Sequence, residues 1–217
     1  MQKLIVPLYS CEMPDDIVIE PVKGAVESWH WESAERFRPK TQFKVWAVRD
    51  DAIYVQMWSC EQKPRQRYTK RDQPVYEDSC LEVFLQPSLD DMRYLNFEAN
   101  PLGSLWSAVG EGREGRIFLK KRTKCQFGVV CLSDISCFDF NNGGWGIEFL
   151  IPIELLRDVF GQNYTFYDGM RMRGNFYKCG DKTKIPHWGA WNSVTTNPPG
   201  FHNPACFGEI ILQEVRQ

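Results

Sequence analysis

The stretch FKVWAVRDDAIYVQMW, residues 43–58, carries the plainest structural signal in the chain. Apolar and polar side chains alternate over residues 43–48 and again over residues 52–58, which is the period of a β-strand with one buried face. Asp50 and Asp51 lie between the two runs, and acidic residues favour tight turns at such positions. The stretch therefore predicts an antiparallel β-hairpin.

The same period recurs along the rest of the chain in short runs that end at Pro, Gly or Asn. Further strands are predicted near the N-terminus and over residues 81–85, 94–100, 116–122, 125–132, 145–151, 170–179 and 207–213. One helix is predicted over residues 152–160, because Pro152 stands at its start and Gly161 follows its end. Many short strands and one short helix indicate an all-β fold, a two-sheet antiparallel β-sandwich formed by a single domain over residues 1–217.

The amino-acid composition excludes several classes of function. The 217 residues are 43% hydrophobic, enough for one sizeable core. With 26 basic and 28 acidic side chains the net charge is −2, so binding to nucleic acid through bulk positive charge is not expected. There is no apolar run long enough for a membrane helix. The N-terminal apolar run is short, contains Pro7 and lacks a small-residue cleavage site, so a cytoplasmic location is expected.

The eight cysteines include no C-x-x-C pair, which removes the main signature of zinc knuckles and of thioredoxin-like redox sites. Most of them are expected to act as small buried hydrophobes. Common catalytic signatures, such as G-x-S-x-G, H-E-x-x-H and the P-loop, are also missing from the sequence. An enzyme is therefore the less favoured interpretation.

Two predicted strands each present a polar face. The faces carry Tyr94, Asn96, Glu98 and Asn100 on one strand, and Arg171, Arg173, Asn175 and Tyr177 on the other. A solvated outer face and a structural salt-bridge network are the ordinary explanations. Planar polar groups beside aromatic rings also suit a sugar, which offers hydroxyls in a plane and C–H faces that stack on rings.

Residues 180–206 resist regular assignment and contain Trp188, Trp191, His187 and His202. A Trp in a loop rich in Gly and Pro is harder to explain as core than a Trp in a strand, so Trp188 or Trp191 is expected to face a ligand. The two histidines could form a metal pair, but their spacing shows no third ligand.

Several blocks resemble the family 9 carbohydrate-binding modules. They cover residues 38–43, 74–85, 94–100, 175–181, 187–188, 201–204 and 207–208, together with Trp191. The resemblance implies a jelly-roll-like sandwich that binds the end of a glucan or xylan chain between two aromatic rings. It implies a partner glycoside hydrolase in carbohydrate catabolism. No cofactor is expected to be required, although some relatives hold structural calcium, for which Asp50, Asp51, Asp78, Asp90 and Asp91 offer oxygen ligands.

In this resemblance Glu82 matches a binding Glu, and the two rings fall near Tyr76 and near Phe201 or His202. Asn96 and Glu98 stand where the modules carry Arg and Asn. The expected function is non-catalytic binding of a saccharide, with a glycan-processing hydrolase and a haem-binding sandwich, ligated by Met170, Met172 or Lys178, as alternatives. One pocket is predicted to be lined by Tyr76, Glu82, Asn96, Glu98, Arg173, Asn175, Trp188, Trp191, Phe201 and His202.

Overall fold

A computed structural model of the chain describes residues 1–10, 18–30, 37–132, 143–196 and 200–216. One helix, α1 (Ile153–Phe160), accompanies the strands of these segments. The strands are β1 (Lys3–Tyr9), β2 (Val22–Ala25), β3 (Ser28–His30), β4 (Thr41–Val48), β5 (Ala52–Ser59), β6 (Cys80–Gln86), β7 (Tyr94–Ala99), β8 (Leu105–Gly110), β9 (Ile117–Phe118), β10 (Gly128–Leu132), β11 (Trp145–Pro152), β12 (Arg171–Gly180), β13 (His187–Ala190) and β14 (Gly208–Glu214).

The predicted hairpin is confirmed by β4 and β5, which pair antiparallel with Val48 opposite Ala52. Asp50 takes a φ of 56° in the turn, a left-handed conformation that Asp tolerates better than most residues. Phe43, Val45 and Ala47 are fully buried, whereas the residues between them are half-buried. The alternation in the sequence therefore marks the core face of the strand.

The strands form one continuous hydrogen-bonded path, in the order β10-β11-β5-β4-β1-β14-β12-β6-β7-β8-β9. The path curls so that its two halves enclose one core; Phe43 on β4 stacks on Phe176 of β12 with 4.0 Å between the ring centroids. The all-β sandwich is thus confirmed. Its predicted antiparallel character needs correction, because β1 lies between β4 and β14 and runs parallel to both. A strand whose neighbours come from distant parts of the chain is not bound by a hairpin to run antiparallel.

Helix α1 is confirmed, with Pro152 before it and Gly161 after it. It buries Leu155, Leu156 and Val159 against the core. In the described part of the chain, no helix combines the length and apolar character needed to cross a membrane.

Two local predictions are corrected. The strand predicted over residues 116–122 is only two residues long, and a 3-10 turn (Leu119–Lys121) follows it. The segment around Trp188 is not a loop, because β13 pairs with both β12 and β3. Four residues are too few to show an alternating pattern in sequence. The sequence Asn141-Asn142-Gly143-Gly144 favours a turn, but its two asparagines lie outside the described residues.

Candidate functional site

One row of large side chains crosses four neighbouring strands of the sheet. Glu82 on β6 lies directly opposite Tyr177 on β12 and Glu98 on β7, and Glu98 lies opposite Trp106 on β8. Directly opposed residues of antiparallel strands project from the same face. The row therefore forms a continuous strip of two carboxyl groups between two aromatic rings.

A second row lies beside the first. Cys179 on β12 is opposite Cys80 on β6 and opposite Trp188 on β13. Together the rows form the base of a cleft of about 500 Å³, which we call the aromatic cleft. It is lined by Tyr76, Glu82, Phe84, Glu98, Trp106, Arg113, Glu114, Arg116, Phe118, Cys179, Asp181, Trp188, Gly200, Phe201 and His202.

Ring-to-ring contacts hold the walls of the aromatic cleft. On one side Tyr76 meets Trp106 edge-on at 5.8 Å between centroids, and Trp106 meets Phe118 at 4.9 Å. On the other side Phe201 stacks on Tyr177 at 4.0 Å. The indole Nε1 of Trp188 donates a 2.7 Å hydrogen bond to Oδ1 of Asp181, which fixes the ring plane. Each wall therefore presents aromatic surface whose orientation is set before any ligand arrives.

Glu82 and Glu98 are both buried, each with 3% exposure. None of the ion pairs among the described residues includes either carboxyl group. Burial raises the pKa of Glu98 to about 7. Burial, and after it the charge of Glu98, raises the pKa of Glu82 well above its ordinary value. The pair consequently keeps a proton near neutral pH and offers both a donor and acceptors.

A chain of hydrogen bonds positions Glu98. The guanidinium of Arg116 stacks 4.2 Å from the ring centroid of Tyr94 and donates to the Tyr94 carbonyl at 2.9 Å. Its Nε donates to Oδ1 of Asn96 at 2.9 Å, so the amide of Asn96 turns its Nδ2 towards Glu98 and donates to Oε1 at 2.8 Å. Arg116 therefore fixes the orientation of the amide, and the amide fixes the carboxyl group.

His202 forms part of the wall as a neutral ring. Its Nδ1 lies 2.9 Å from the hydroxyl of Tyr94, and its ring is 4.8 Å from that of Phe84. Burial, followed by the charges of Arg116 and Arg113, lowers the pKa of His202 to about 3. The imidazole is uncharged at neutral pH and adds to the flat, weakly polar surface of the cleft.

The model of Carbohydrate-binding family 9 matches residues 17–212, which is most of the chain. The chain belongs to this family. Non-catalytic carbohydrate binding is the function that its membership supports. Among curated proteins, none is significantly similar to this module in sequence.

Solved structures share the fold of the module. A proposed carbohydrate-binding protein from Bacteroides uniformis superposes with a TM-score of 0.76 at 25% identity, over 98% of this chain and 99% of that one. Two structures of a family 9 module from Caldicellulosiruptor kristjanssonii have 16% identity. The complex with cellotriose gives a TM-score of 0.62 over 100% and 96% of the two chains, and the complex with glucose gives 0.64 over 100% and 98%.

Six of the ten predicted site residues line the aromatic cleft of the module. They are Tyr76, Glu82, Glu98, Trp188, Phe201 and His202. Asn96 lies behind the cleft and acts on Glu98. The predicted single pocket needs correction for Asn96, Arg173, Asn175 and Trp191, which are not among the lining residues. Whether the six contact a ligand stays a prediction.

Trp191 lies in the hydrophobic core and not in the wall of the aromatic cleft. It is 3% exposed and packs edge-on against Phe43 and Phe176, at 6.1 and 5.6 Å between centroids. Trp188 and Trp191 are three positions apart, and an odd separation along an extended chain points side chains to opposite faces. Because Trp188 faces the cleft, Trp191 faces the core.

Asn175 and Arg173 lie on the correct face of β12 but too far along it. The amide of Asn175 is fully buried and donates to the carbonyl groups of Asn192 at 2.8 Å and Cys206 at 3.2 Å. It thereby fastens the segment that covers this part of the sheet. Arg173 is six residues from Cys179, a distance of about 20 Å along an extended strand.

Sequence reasoning missed Arg113, Arg116 and Asp181, as well as Trp106. The signal for Arg113 was the loop at residues 110–115, GEGREG, which sets charged residues between glycines, and Arg116 directly follows this loop. Trp106 is brought to the site by pairing of β8 with β7, which no local pattern reveals.

The haem alternative finds no support in the module. Met170 and Met172 are buried in the hydrophobic core, and Lys178 is engaged with Glu61 and His187. None of the three lines the aromatic cleft. Both ring nitrogens of His187 also have partners. Nε2 lies 2.7 Å from Nζ of Lys178, and Nδ1 lies 2.9 Å from the Ile185 carbonyl.

Four of the five acidic residues considered for calcium, Asp50, Asp51, Asp78 and Asp91, have protein partners. Asp78 accepts from the backbone amides of Arg67 and Tyr68 and from Asn100. Asp50 and Asp51 bond to Arg157 and Tyr54, and Asp91 bonds to Arg93. Among the described residues these carboxylates do not form a close cluster of three, and structural calcium stays a prediction.

A larger cleft of about 960 Å³ lies beside residues 182–185. Its lining includes Lys63, Arg65, Arg67, Lys182 and Lys184, and Phe37 is the aromatic residue of its described part. A cationic surface of this kind suits an anion better than a neutral sugar. The aromatic cleft is therefore the better candidate, although it is smaller.

Proposed function

We propose that this chain binds the end of a neutral saccharide in the aromatic cleft, with Tyr76, Trp188 and Phe201 as stacking surfaces. The observation that carries the proposal is the buried pair of Glu82 and Glu98 at the base of a cleft with aromatic walls. A volume of about 500 Å³ is typical of small-molecule sites and suits a short saccharide better than a long polysaccharide segment.

The chemistry of the pair matches vicinal hydroxyl groups. A carboxylate accepts hydrogen bonds from hydroxyls, while its protonated neighbour donates one. Such bonds are strong when one partner is charged and water is excluded. The apolar C–H face of a sugar ring covers aromatic carbon at the same time. Family membership supports this ligand class, and glucose and cellotriose, bound by a family 9 module of the same fold, are the first ligands to test.

Isothermal titration calorimetry with glucose, cellotriose and xylo-oligosaccharides tests the proposal. Binding is expected for at least one of them. Trp188→Ala should weaken it about tenfold or more, which corresponds to about 1.4 kcal/mol of lost stacking. Trp46→Ala is the matched control, because Trp46 is also half-buried but stacks on Tyr54 outside the cleft. Absence of heat with every saccharide, or equal affinities of the two variants, would refute the proposal.

Trp191→Ala separates binding from stability. We expect it to lower the free energy of unfolding by about 3–5 kcal/mol, since it opens a cavity in the core, while the folded protein keeps its saccharide affinity. Urea unfolding and calorimetry measure the two effects. A variant with unchanged stability and lost binding would contradict the placement of Trp191 in the core.

The chain is further proposed to act in carbohydrate catabolism, alongside a glycoside hydrolase that supplies or degrades the bound saccharide. Free chain ends are what such an enzyme generates, and a cleft of this size accommodates an end. Co-purification of the chain with a glycosidase that acts on the saccharide bound best in calorimetry tests this role.

A further inference from the structure

Three potential metal ligands converge at the base of the aromatic cleft. Cys80 and Cys179 are directly opposed on β6 and β12, and Glu82 lies two residues after Cys80 on the same face. The two thiol sulfurs and a carboxylate oxygen of Glu82 all lie within 4.8 Å of one another. Among the described residues, no other group of three His, Cys, Asp or Glu side chains brings its ligand atoms this close together.

The group is rigid and is reached from one side. Cys80, Cys179 and Glu82 are all buried within the paired region of two central strands. Cys179 and Glu82 nevertheless line the cleft, and the half-buried rings of Tyr76 and Trp188 pack around the sulfurs. Ligands held by strand pairing need little reorganisation to bind an ion.

We propose that Cys80, Cys179 and Glu82 bind a thiophilic divalent cation, with Zn²⁺ as the best fit. Zinc takes sulfur at about 2.3 Å and carboxylate oxygen at about 2.0–2.2 Å, so tetrahedral donors lie about 3.5–3.8 Å apart. The sulfur of Cys179 now donates to Oε1 of Glu82 at 2.8 Å, and small side-chain rotations bring both to that spacing. Because Cys179 and Glu82 line the cleft, water or a ligand oxygen from the cleft would complete the shell.

Comparison with Cys206 shows why this pair differs from an ordinary buried cysteine. Cys206 is also buried, but its sulfur accepts from the backbone amide of Thr195 and the side chain of Asn203. Its surroundings supply donors, which a metal ion cannot use. Cys80 and Cys179 instead face each other and an acceptor, and two soft thiolates with a carboxylate select zinc over calcium or magnesium.

The proposal does not depend on saccharide binding, although both sites share Glu82. Metal binding is therefore measured without any sugar. The reduced full-length chain is titrated with Co²⁺ under anaerobic conditions, because thiolate ligation of Co²⁺ produces a ligand-to-metal charge-transfer band in the near ultraviolet. The band is expected to saturate at equimolar Co²⁺ and to disappear when Zn²⁺ is added. Binding should also release protons, since thiols must lose theirs to coordinate.

Variants assign the band to these residues. Cys179→Ser and Cys80→Ser should each abolish the equimolar band, and Glu82→Gln should keep the thiolate band with an affinity lowered about ten- to a hundredfold. Cys206→Ser is the matched control and should leave the titration unchanged. Circular dichroism shows whether each variant is folded, and Cys179→Ala replaces Cys179→Ser where it is not. A wild type without an equimolar band, or a band that survives both serine substitutions, would overturn the proposal.

Discussion

The carboxyl groups of Glu61 and Glu82 are both buried, but their surroundings are opposite in character. Glu61 accepts from Nζ of Lys178 at 3.1 Å, from Ser79 at 2.8 Å and from the indole of Trp145 at 3.2 Å. Burial raises its pKa, but Lys178 and Ser79 outweigh burial, so the pKa is lowered overall. Glu82, in contrast, has no ion pair within the described ranges, and its pKa is raised. One acid is charged and fully satisfied, whereas the other retains unused acceptors.

The network around Glu61 is closed. The ammonium of Lys178, fully buried, has three hydrogens, and it uses them on Glu61, on Nε2 of His187 at 2.7 Å and on the carbonyl of Cys179 at 2.9 Å. His187 must then donate from Nδ1 to the carbonyl of Ile185. Burial, followed by the charge of Lys178, lowers the pKa of His187 to about 3, in agreement with a neutral ring that accepts from Lys178.

The difference teaches how burial alone can be misread. A buried carboxyl with every acceptor occupied specifies the fold and has no capacity left for a ligand. A buried carboxyl beside another acid, with few partners and one side open to a cleft, is costly unless a ligand completes it. Lys178 and Cys179 are adjacent on β12 and point to opposite faces. The same strand therefore contributes to the network around Glu61 on one face and to the cleft beside Glu82 on the other.

The largest expected effect comes from breaking the closed network. Lys178→Met leaves Glu61 buried without its cation and should lower the free energy of unfolding by about 3–5 kcal/mol. Urea denaturation measures the loss. The double variant Lys178→Met with Glu61→Leu should recover much of it, because the unpaired charge is gone. Glu82→Gln, which changes the carboxyl group beside the cleft, should alter the free energy of unfolding by less than about 1 kcal/mol. Equal losses in Lys178→Met and Glu82→Gln would contradict the difference between the two sites.

A smaller effect is expected from pH. In the folded chain the pKa of Glu98 is about 7, against 4.5 ordinarily, so the folded state binds more protons between these values. Stability from this group is therefore present below about pH 4.5 and is lost as pH rises to about 7, by roughly 1–3 kcal/mol. Glu98→Gln should remove this contribution and also reduce the one from Glu82, because the charge of Glu98 helps to raise the pKa of Glu82.

The measurement is the difference in unfolding free energy between wild type and Glu98→Gln at several pH values. Subtraction is needed because His187 and His202, with pKa values lowered to about 3, contribute the opposite slope, with stability rising from about pH 3 to 6.5. A difference that is constant with pH would show that Glu98 is ionised in the folded state.

The smallest effect is expected at an exposed pair. Arg171 and Glu209 form an ion pair in which the arginine side chain is 62% exposed. Arg171→Ala should cost less than about 1 kcal/mol, and salt should reduce even that. Thermal unfolding at low and high salt measures it. A loss as large as that of Lys178→Met would mean that ion pairing, rather than burial, sets the scale of these effects.

Much of the local structure was predictable, because it follows from the alternation of apolar and polar residues and from the Pro and Gly residues that end each element. The hairpin, helix α1 and the shared face of Asn96 and Asn175 all result from alternation or from Pro and Gly at element ends. Phe84 lies directly opposite both asparagines, so Asn96 and Asn175 project from the same face of the sheet. Position along the face was not predictable, because it depends on which part of the sheet other segments cover.

The two tryptophans show the same limit. Trp188 and Trp191 share a Gly-rich neighbourhood in sequence, but Trp188 on β13 faces the cleft, whereas Trp191, one residue beyond β13, packs in the core. The parity rule that separates them was usable only with the strand known. The insertion of β1 between β4 and β14 was equally inaccessible, since pairing between distant segments leaves no local trace.

That central position of β1 has a consequence for how the chain reaches its native state. Lys3 pairs with Glu209 and Leu8 with Glu214, so the middle of the sheet joins the first and last strands of the chain. Because Lys3 and Glu209 are about 200 residues apart in sequence, these bonds form only after β14 has been synthesised, and contacts so distant in sequence slow folding. Until then the edges of β1 and β12 that pair with β14 stay open, which is the interval in which the nascent chain is most exposed to aggregation and to chaperones.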